Sequence, residues 1–149
     1  MRLEPLYRVR FTYPEGWAID LEGGWRQLFS LAEGRCEGSI RGRFRGANYP
    51  RREGFAGPFR PDFRGVIEAD SGATIMFELH GYGRAYPPGR RQIVGSVFHL
   101  SDAEPYSRLN DVVCVCAGEV RSSLQNDGEP DLVIDVAELI WEPLAAGPG

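Results

Sequence analysis

Two runs of alternating residues flank a short turn at Asp70-Ser71-Gly72, and this pattern restricts the possible folds of the chain more than any other. In each run an apolar or small side chain alternates with a polar or long one, as in strands that bury one face. The apolar faces consist of Phe63, Gly65, Ile67 and Ala69 before the turn, and of Ala73, Ile75, Phe77 and Leu79 after it. A turn of this composition between two such runs predicts an antiparallel β-hairpin over residues 60–86.

Segments of the same kind recur along the rest of the chain. They cover residues 3–13, 25–31, 36–46, 92–100, 112–117 and 131–141. Residues 25–31 are compatible with either a strand or one helical turn, and we favour the strand. Pro14-Glu15-Gly16 is expected to end the first strand, and the strand at 112–117, apolar on both faces, is expected to be covered on both sides. Ser101 and Glu104 have the spacing of a capping box, which predicts one short helical turn over 102–109. Asn126-Asp127-Gly128 is predicted as a turn. About eight strands without a long amphipathic helix indicate an all-β barrel or sandwich.

All 17 basic residues of the 149-residue chain are arginine, and this composition removes several kinds of chemistry. Without lysine there is no Schiff-base nucleophile, no internal pyridoxal aldimine and no lysine general base. The sequence also lacks a Walker loop, a dinucleotide-binding glycine fingerprint and a nucleophile elbow, so we expect no cofactor. The net charge of −4 argues against nucleic acid as a partner.

Hydropathy and cysteine content lead us to expect a cytoplasmic protein that does not associate with membranes. No apolar run approaches the roughly 20 residues of a membrane helix. Glu4, Arg8 and Arg10 interrupt the first segment, where a secretory signal would be apolar. The three cysteines are an odd number in a domain of this size, and we expect reduced thiols.

The second strand of the predicted hairpin carries Glu78, His80, Tyr82 and Arg84 on one face. If this face lines a polar lumen, Glu78 and His80 are candidate catalytic residues, because a carboxylate beside an imidazole can orient the ring and exchange a proton. Tyr82 and Arg84 would then bind substrate by polarising a carbonyl or holding a carboxylate. Alternatively, the face points to solvent or to a second copy in a homodimer, while Ile75, Phe77 and Leu79 pack in the core.

Glu138 is the third candidate catalytic residue. It lies on the more apolar face of the last strand, and a carboxylate buried there must be hydrogen-bonded or paired unless its proton affinity rises. A carboxyl poised in an apolar barrel is what proton abstraction next to a carbonyl requires. The alternative is a partly exposed glutamate at the barrel rim, paired with an arginine.

Three residues in connecting segments complete the candidate site. Asn110 and Asp111 precede the strand at 112–117, where they form either a turn or the rim of a cavity, and Tyr49 belongs to a loop of the kind that often covers a binding site. A metal site is weakly supported, because His80 and His99 are the only histidines and both rings would have to reach the same side of the sheet. We therefore expect no metal.

Five segments, in this order, resemble the bacterial DUF3237 family, also called UPF0311. They are Gly34 to Gly42 (GRCEGSIRG), Ala69 to Arg84 (ADSGATIMFELHGYGR), Arg108-Leu109-Asn110, Val112 to Glu119 (VVCVCAGE) and Val133 to Leu139 (VIDVAEL). The resemblance implies a compact antiparallel barrel similar to small-ligand-binding barrels and implies no particular activity. The chain departs from the family pattern at residues 46–60. The resemblance and the strand count together predict a single antiparallel β-barrel domain of about eight strands over residues 1–149, with a flexible tail from about residue 143.

Our functional hypothesis is a small-molecule-binding barrel whose ligand is largely apolar and carries a carbonyl or a carboxylate. Ionisable side chains on barrel strands favour a cofactor-independent enzyme of the isomerase, cyclase or lyase type. The alternatives are a carrier without catalysis and a structural homodimer.

Overall fold

The computed structural model describes residues 1–54, 57–122 and 130–147. Its strands are β1 (Arg2–Asp20), β2 (Trp25–Gly38), β3 (Gly42–Asn48), β4 (Arg51–Glu53), β5 (Asp62–Ala69), β6 (Thr74–Arg84), β7 (Arg91–Leu100), β8 (Cys114–Ser122) and β9 (Pro130–Ile140). Two 3-10 turns lie at Glu22–Gly24 and Tyr106–Asp111. The predicted turn at Asn126-Asp127-Gly128 falls outside the described residues. Among the residues described, no helix is long and apolar enough to cross a membrane.

Eight of these strands form a closed antiparallel barrel, which confirms the predicted fold class. Each strand pairs with its neighbours in the order β1-β9-β8-β7-β6-β5-β3-β2, and β2 pairs with β1 to close the ring. The short strand β4 adds to the end of β2. Closure requires β1 to pair on both sides, as it does at Val9, which lies opposite Cys36 of β2 and opposite Ile134 of β9.

The hairpin predicted around residues 70–72 is formed by β5 and β6. Its register pairs Glu68 with Thr74, next to the turn, and Asp62 with His80 at the far end. Gly72 has a φ of 95°, a left-handed conformation that glycine adopts without steric cost. The predicted faces are also confirmed, because Ile75, Phe77 and Leu79 are buried while the residues between them are exposed.

Side chains fill the barrel interior. Phe44 and Phe77 stack at its centre with ring centroids 4.7 Å apart, and Phe63 stacks on Phe77 at 5.7 Å. Phe11 packs against Phe44 at 5.2 Å. An eight-stranded barrel is just wide enough for its own side chains to occupy the interior, and here bulky aromatic residues do so.

Two boundary predictions are wrong. Pro14-Glu15-Gly16 does not end the first strand, because a register shift between Thr12 and Glu15 absorbs the proline and lets β1 continue to Asp20. The predicted strand at 36–46 is two strands, since the chain reverses between Gly38 and Gly42 and brings Cys36 opposite Gly42. Ile40, in the turn between them, is buried and belongs to the hydrophobic core.

The prediction that residues 112–117 are covered on both sides is also wrong. Cys114 and Cys116 are buried in the interior, but Val113 is 45% exposed and Ala117 is exposed. In the part of the chain described, no element packs over the outer face of β8 here. The helical turn predicted over 102–109 is present but lies slightly later, at Tyr106–Asp111.

The β1–β2 hairpin extends beyond the barrel as an arm formed by residues 15–31. The pairing of β1 with β9 reaches Phe11, whereas its pairing with β2 continues to Asp20. The arm carries exposed aromatic side chains, with Trp17 and Phe29 5.8 Å apart and Tyr49 6.1 Å from Phe29. The segment at 25–31 is thus a strand, as predicted.

Removing one ring of the phenylalanine cluster should destabilise the barrel strongly. Phe77→Ala should lower the free energy of unfolding by about 3–5 kcal/mol, because the cavity it leaves cannot collapse among rings on other strands. Urea denaturation gives this value. The matched control is Thr74→Ala on the exposed face of β6, expected to change stability by about 0.5 kcal/mol or less. Equal effects of the two substitutions would contradict a core centred on the aromatic cluster.

Candidate functional site

The row Glu78, His80, Tyr82 and Arg84 lies on the outer face of β6. The side chains of Glu78 and His80 are 48% and 45% exposed, and Tyr82 is 42% exposed. Of the two orientations that the sequence left open, the structure therefore has the one in which this row faces outward and Ile75, Phe77 and Leu79 face the core. The row does not line the barrel interior.

Cross-strand pairing groups the outward-facing residues of β5, β6 and β7 into successive rows. One row consists of Val66, Met76 and Leu100, and the next consists of Arg64, Glu78 and Phe98. Between and around these rows lies an open groove of about 380 Å³. We call it the outer groove. The exposed residues that line it are Arg64, Met76, Glu78, Phe98, Leu100 and Asn110, and Gly65 and the buried residues Phe77 and His99 also border it.

The outer groove is apolar along most of its length and charged on one side. Met76, Phe98 and Leu100 supply the apolar surface and are 46–60% exposed. On the charged side, Arg64 Nε lies 3.4 Å from Glu78 Oε1. A guanidinium and a carboxylate beside an apolar surface suit a ligand that has both an apolar part and a polar group.

His80 lies in the row beyond Glu78, between two carboxylates. Its Nε2 is 3.8 Å from Glu78 Oε2, and its Nδ1 is 3.7 Å from Asp62 Oδ1. These distances exceed those of hydrogen bonds, so both contacts are ion pairs when the ring is protonated. Arg64, Glu78, His80 and Asp62 thus form a cluster of ionisable side chains on the outer face.

Asn110 is at the other end of the outer groove and has a structural partner. Its Oδ1 accepts a hydrogen bond from Ser101 N at 2.8 Å, and its Nδ2 donates one to Ser101 O at 3.0 Å. These two bonds fix the second 3-10 turn, whose Leu109 is buried in the core. Asn110 thus has a structural role in holding this turn and also lines the outer groove, and its role in binding stays a prediction. Asp111 is exposed and does not line the groove.

The other predicted binding residues do not line the outer groove. Tyr82 and Arg84 continue the row of β6 away from it, and the Arg84 guanidinium lies 4.9 Å from the centroid of the Tyr86 ring. Tyr49 is 55% exposed beside the β1–β2 arm. Their roles in binding stay predictions.

Glu138 is at the rim of the barrel and is paired with an arginine. Its Oε2 accepts a hydrogen bond from Arg108 Nη1 at 3.0 Å, and its side chain is 16% exposed. In the register of β8 and β9 it lies opposite Cys114, on the interior side. The structure therefore does not bring Glu138 and Glu78 into one groove, and the catalytic role of Glu138 stays a prediction.

Comparisons with known proteins add to this geometry. Residues 1–139 match the sequence model of a family described as "Protein of unknown function (DUF3237)". The chain belongs to this family. No curated protein sequence matches the chain.

Solved structures similar to this DUF3237 barrel agree in fold. A β-barrel-like protein from Acinetobacter baumannii is 21% identical and has a TM-score of 0.75, with 92% of this chain and 94% of that chain covered. A protein of unknown function from Clostridium acetobutylicum is 16% identical, with a TM-score of 0.77 and coverage of 94% and 100%. An enzyme from Penicillium herquei is 20% identical, with a TM-score of 0.62 and coverage of 91% and 93%.

The barrel interior contains one buried polar pair that the sequence analysis did not propose. The hydroxyl of Tyr7 and Nε2 of His99 are hydrogen-bonded at 2.8 Å, and the two rings pack edge to face. Among the described residues, Nδ1 of His99 has no hydrogen-bond partner. A signal was available in the sequence, because His99 shares a strand face with the apolar residues Ile93 and Val97, and Tyr7 shares one with Val9 and Phe11.

Burial changes the acid–base properties of this interior region. It lowers the pKa of His99 from 6.5 to about 4, raises that of Tyr7 above its ordinary value, and raises that of Cys36 to about 12. Burial also raises the pKa of Cys114 and of Cys116 to about 11. The three thiols are free and protonated at neutral pH, as reduced buried residues should be.

The two histidines lie on opposite sides of the barrel wall, His80 outside and His99 inside. A two-histidine metal site is therefore excluded by geometry. Within residues 1–54, 57–122 and 130–147, no group of three or more His, Cys, Asp or Glu side chains could hold a metal ion.

His99 should make the stability of the barrel depend on pH. Because its pKa is about 4 in the folded protein and 6.5 otherwise, the unfolded chain takes up a proton first as the pH falls. The free energy of unfolding should therefore decrease by about 2 kcal/mol between pH 8 and pH 5, a window that lies mainly above the titration of carboxylates. Urea denaturation at several pH values measures this slope.

The variant His99→Gln should remove most of this dependence, whereas His80→Gln, which changes the outer imidazole, should keep it. If His99→Gln retained the wild-type slope, the buried ring would not be its source.

Proposed function

We propose that this barrel binds a small, largely apolar molecule that carries a carbonyl or a carboxylate, and that the outer groove is the binding site. The observation that carries the proposal is the position of Arg64 and Glu78 beside the apolar surface of Met76, Phe98 and Leu100. The apolar part of the ligand would cover these three side chains and gain about 25 cal/mol for each Å² removed from water. The Arg64 guanidinium would bind the oxygen atoms, with its fixed donors suited to a carboxylate or a polarised carbonyl.

The same groove supports an acid–base reaction without a cofactor. Glu78 can remove a proton from the carbon next to a carbonyl while Arg64 stabilises the charge that develops on the oxygen. His80, 3.8 Å from Glu78, can take up or return the proton at a second position. This sequence of steps corresponds to an isomerase, cyclase or lyase. The similar structure from Penicillium herquei is described as an enzyme, which is consistent with this proposal.

A carrier without catalysis is the second candidate function, and one observation favours it. The contacts of His80 with Glu78 and Asp62 are longer than hydrogen bonds, so the ring is not held in the orientation that proton transfer needs. A carrier requires only the apolar surface and Arg64.

Ligand binding should stabilise the protein through Arg64. A thermal-shift screen against hydrophobic carboxylic acids and ketones should give hits, and a hit at a hundredfold excess over its Kd should stabilise the protein by about 2.7 kcal/mol. Arg64→Gln should weaken binding of a carboxylate hit about tenfold or more, because a charge-assisted contact is lost.

The chain offers a matched control on the outer face of β3. Arg43 is also exposed and pairs with Glu33 at 2.8 Å, but it lies outside the groove. Arg43→Gln should leave the affinity unchanged. If both arginine variants bind equally well, the outer groove is not the site.

Incubation of each hit with the protein, followed by mass spectrometry of the ligand, distinguishes an enzyme from a carrier. If the protein is an enzyme, Glu78→Gln and His80→Ala should each lower the rate by about a hundredfold or more while the circular dichroism spectrum is preserved. Unchanged ligand in every assay would support the carrier. If Glu138→Gln abolished turnover and both groove variants retained it, the reaction would take place at the barrel rim instead.

A further inference from the structure

The ionisable cluster on the charged side of the outer groove contains more carboxylates than cations. Arg64 Nε lies 3.4 Å from Glu78 Oε1. The imidazole of His80 lies 3.8 Å from Glu78 Oε2 and 3.7 Å from Asp62 Oδ1. One guanidinium is therefore accompanied by two carboxylates. A neutral imidazole leaves one carboxylate in excess, and a protonated imidazole only balances the charges. In neither state does the cluster carry a surplus of positive charge.

The polar groups at the other borders of the groove already have partners. Arg45 on β3 lies opposite Val66 of β5, but it is paired with Glu68, so the pair adds no net charge beside the groove. The amide oxygen and the amide nitrogen of Asn110 are both hydrogen-bonded to the backbone of Ser101. We therefore expect the polar group of a ligand to bind at the ionisable cluster.

Glu78 lies between Arg64 and the apolar surface of the groove. In the strand register it is opposite Arg64 of β5 on one side and opposite Phe98 of β7 on the other. Neighbouring strands are about 4.8 Å apart, so a ligand whose apolar part covers Phe98 reaches Arg64 only by passing over Glu78. The polar group of the ligand must therefore be compatible with a carboxylate as well as with a guanidinium.

A carboxylate on the ligand would experience two opposing effects at this position. Arg64 attracts it, but Glu78 repels it, because like charges at short separation interact unfavourably even near a protein surface. The ligand would also compete with Glu78 for the same guanidinium, which is 3.4 Å from the glutamate. The affinity that a carboxylate usually gains from an arginine is therefore reduced for an anionic ligand in this groove.

An uncharged ligand with a carbonyl and a hydroxyl group suits both side chains. The Arg64 side chain is 70% exposed and a guanidinium has several N–H donors, so it can donate to a carbonyl oxygen while it stays beside Glu78. The Glu78 carboxylate, 48% exposed, can accept a hydrogen bond from the hydroxyl. Because Arg64 Nε and Glu78 Oε1 are only 3.4 Å apart, the two ligand oxygens fit best on adjacent carbon atoms or on carbons separated by one other.

We propose that the outer groove selects an uncharged, largely apolar hydroxy ketone over a carboxylic acid, with Arg64 bound to the carbonyl and Glu78 bound to the hydroxyl. This inference rests on the function proposed above and decides between the two polar groups that it left open. Glu78 is then a residue that determines specificity, because its charge excludes anions that the apolar surface and Arg64 would otherwise accept. This role in binding is independent of whether the ligand is converted.

Three probes that share the same apolar part test this selectivity. Each has a phenylethyl group on a carbonyl carbon, and the remaining substituent makes the probe an acid, a methyl ketone or a hydroxymethyl ketone. Chemical-shift titration of the isotopically labelled protein at neutral pH, up to millimolar probe, gives the three affinities. The hydroxymethyl ketone should bind about tenfold more tightly than the acid or better, with the methyl ketone between them.

Glu78→Gln should remove this selectivity, because the amide keeps the size of the side chain but not its charge. The affinity for the acid should rise about tenfold as the repulsion is lost, and the affinity for the hydroxymethyl ketone should fall about fivefold as a charge-assisted hydrogen bond becomes a neutral one. The matched control is Glu33→Gln, whose carboxylate pairs with Arg43 at 2.8 Å outside the groove. It should leave all three affinities unchanged, and both variants should keep the wild-type circular dichroism spectrum.

The outcomes separate the failure of this inference from that of the proposed function. If the acid binds as tightly as the hydroxymethyl ketone or more tightly, while Arg64→Gln weakens binding and Arg43→Gln does not, the groove is a binding site but does not select hydroxy ketones. The same conclusion follows if Glu78→Gln keeps the wild-type order of affinities. If none of the probes binds, or if the two arginine variants bind them equally well, the outer groove is not the site and both proposals are wrong.

Discussion

The structure depends on the pairing of β1 with β9 and β2 at once. This double pairing turns an open sheet into a ring, and a ring of eight strands has a diameter that its own side chains can fill. Phe11, Phe44, Phe63 and Phe77 fill it. Closure also removes the exposed edges that a sheet of this size would otherwise present to other chains.

Because side chains fill the barrel interior, the candidate site lies on the outer surface. The groups that could act on a ligand, Arg64, Glu78 and His80, all project from the outside of β5 and β6, whereas the buried pair Tyr7–His99 lies in the interior. The interior pair is therefore predicted to act on stability and its pH dependence and not on a ligand. The proposed function therefore belongs to the outer surface of the barrel and not to its interior.

The sequence predicted the local structure better than the distant contacts. Alternation and the turn at Asp70–Gly72 were enough for the β5–β6 hairpin, because side-chain period and turn chemistry are local properties. The reversal between Gly38 and Gly42 and the continuation of β1 past Pro14 escaped prediction, since both depend on which neighbouring strand supplies hydrogen bonds.

The sequence indicated which residue types belong to the candidate site, but not where on the barrel the site lies. Glu78 and His80 were identified as neighbours, yet Arg64 was missed because its position beside Glu78 is set by the register between strands. The partner of His99 is likewise 92 residues away, at Tyr7. Local alternation indicates that such side chains share a face, but not what lies opposite them.

Barrel closure also has a consequence for synthesis of the chain on the ribosome. β1 is synthesised before β9 and cannot pair with it until residues 132–140, which form its hydrogen-bonding partners, are available. Hairpins such as β5–β6 and β6–β7 can form while the chain emerges, but the ring cannot close until residues 132–140 have left the exit tunnel. During that interval one side of β1 remains an unpaired edge, and contacts of such long sequence separation form slowly. The nascent chain is therefore most exposed to aggregation just before its last strand appears.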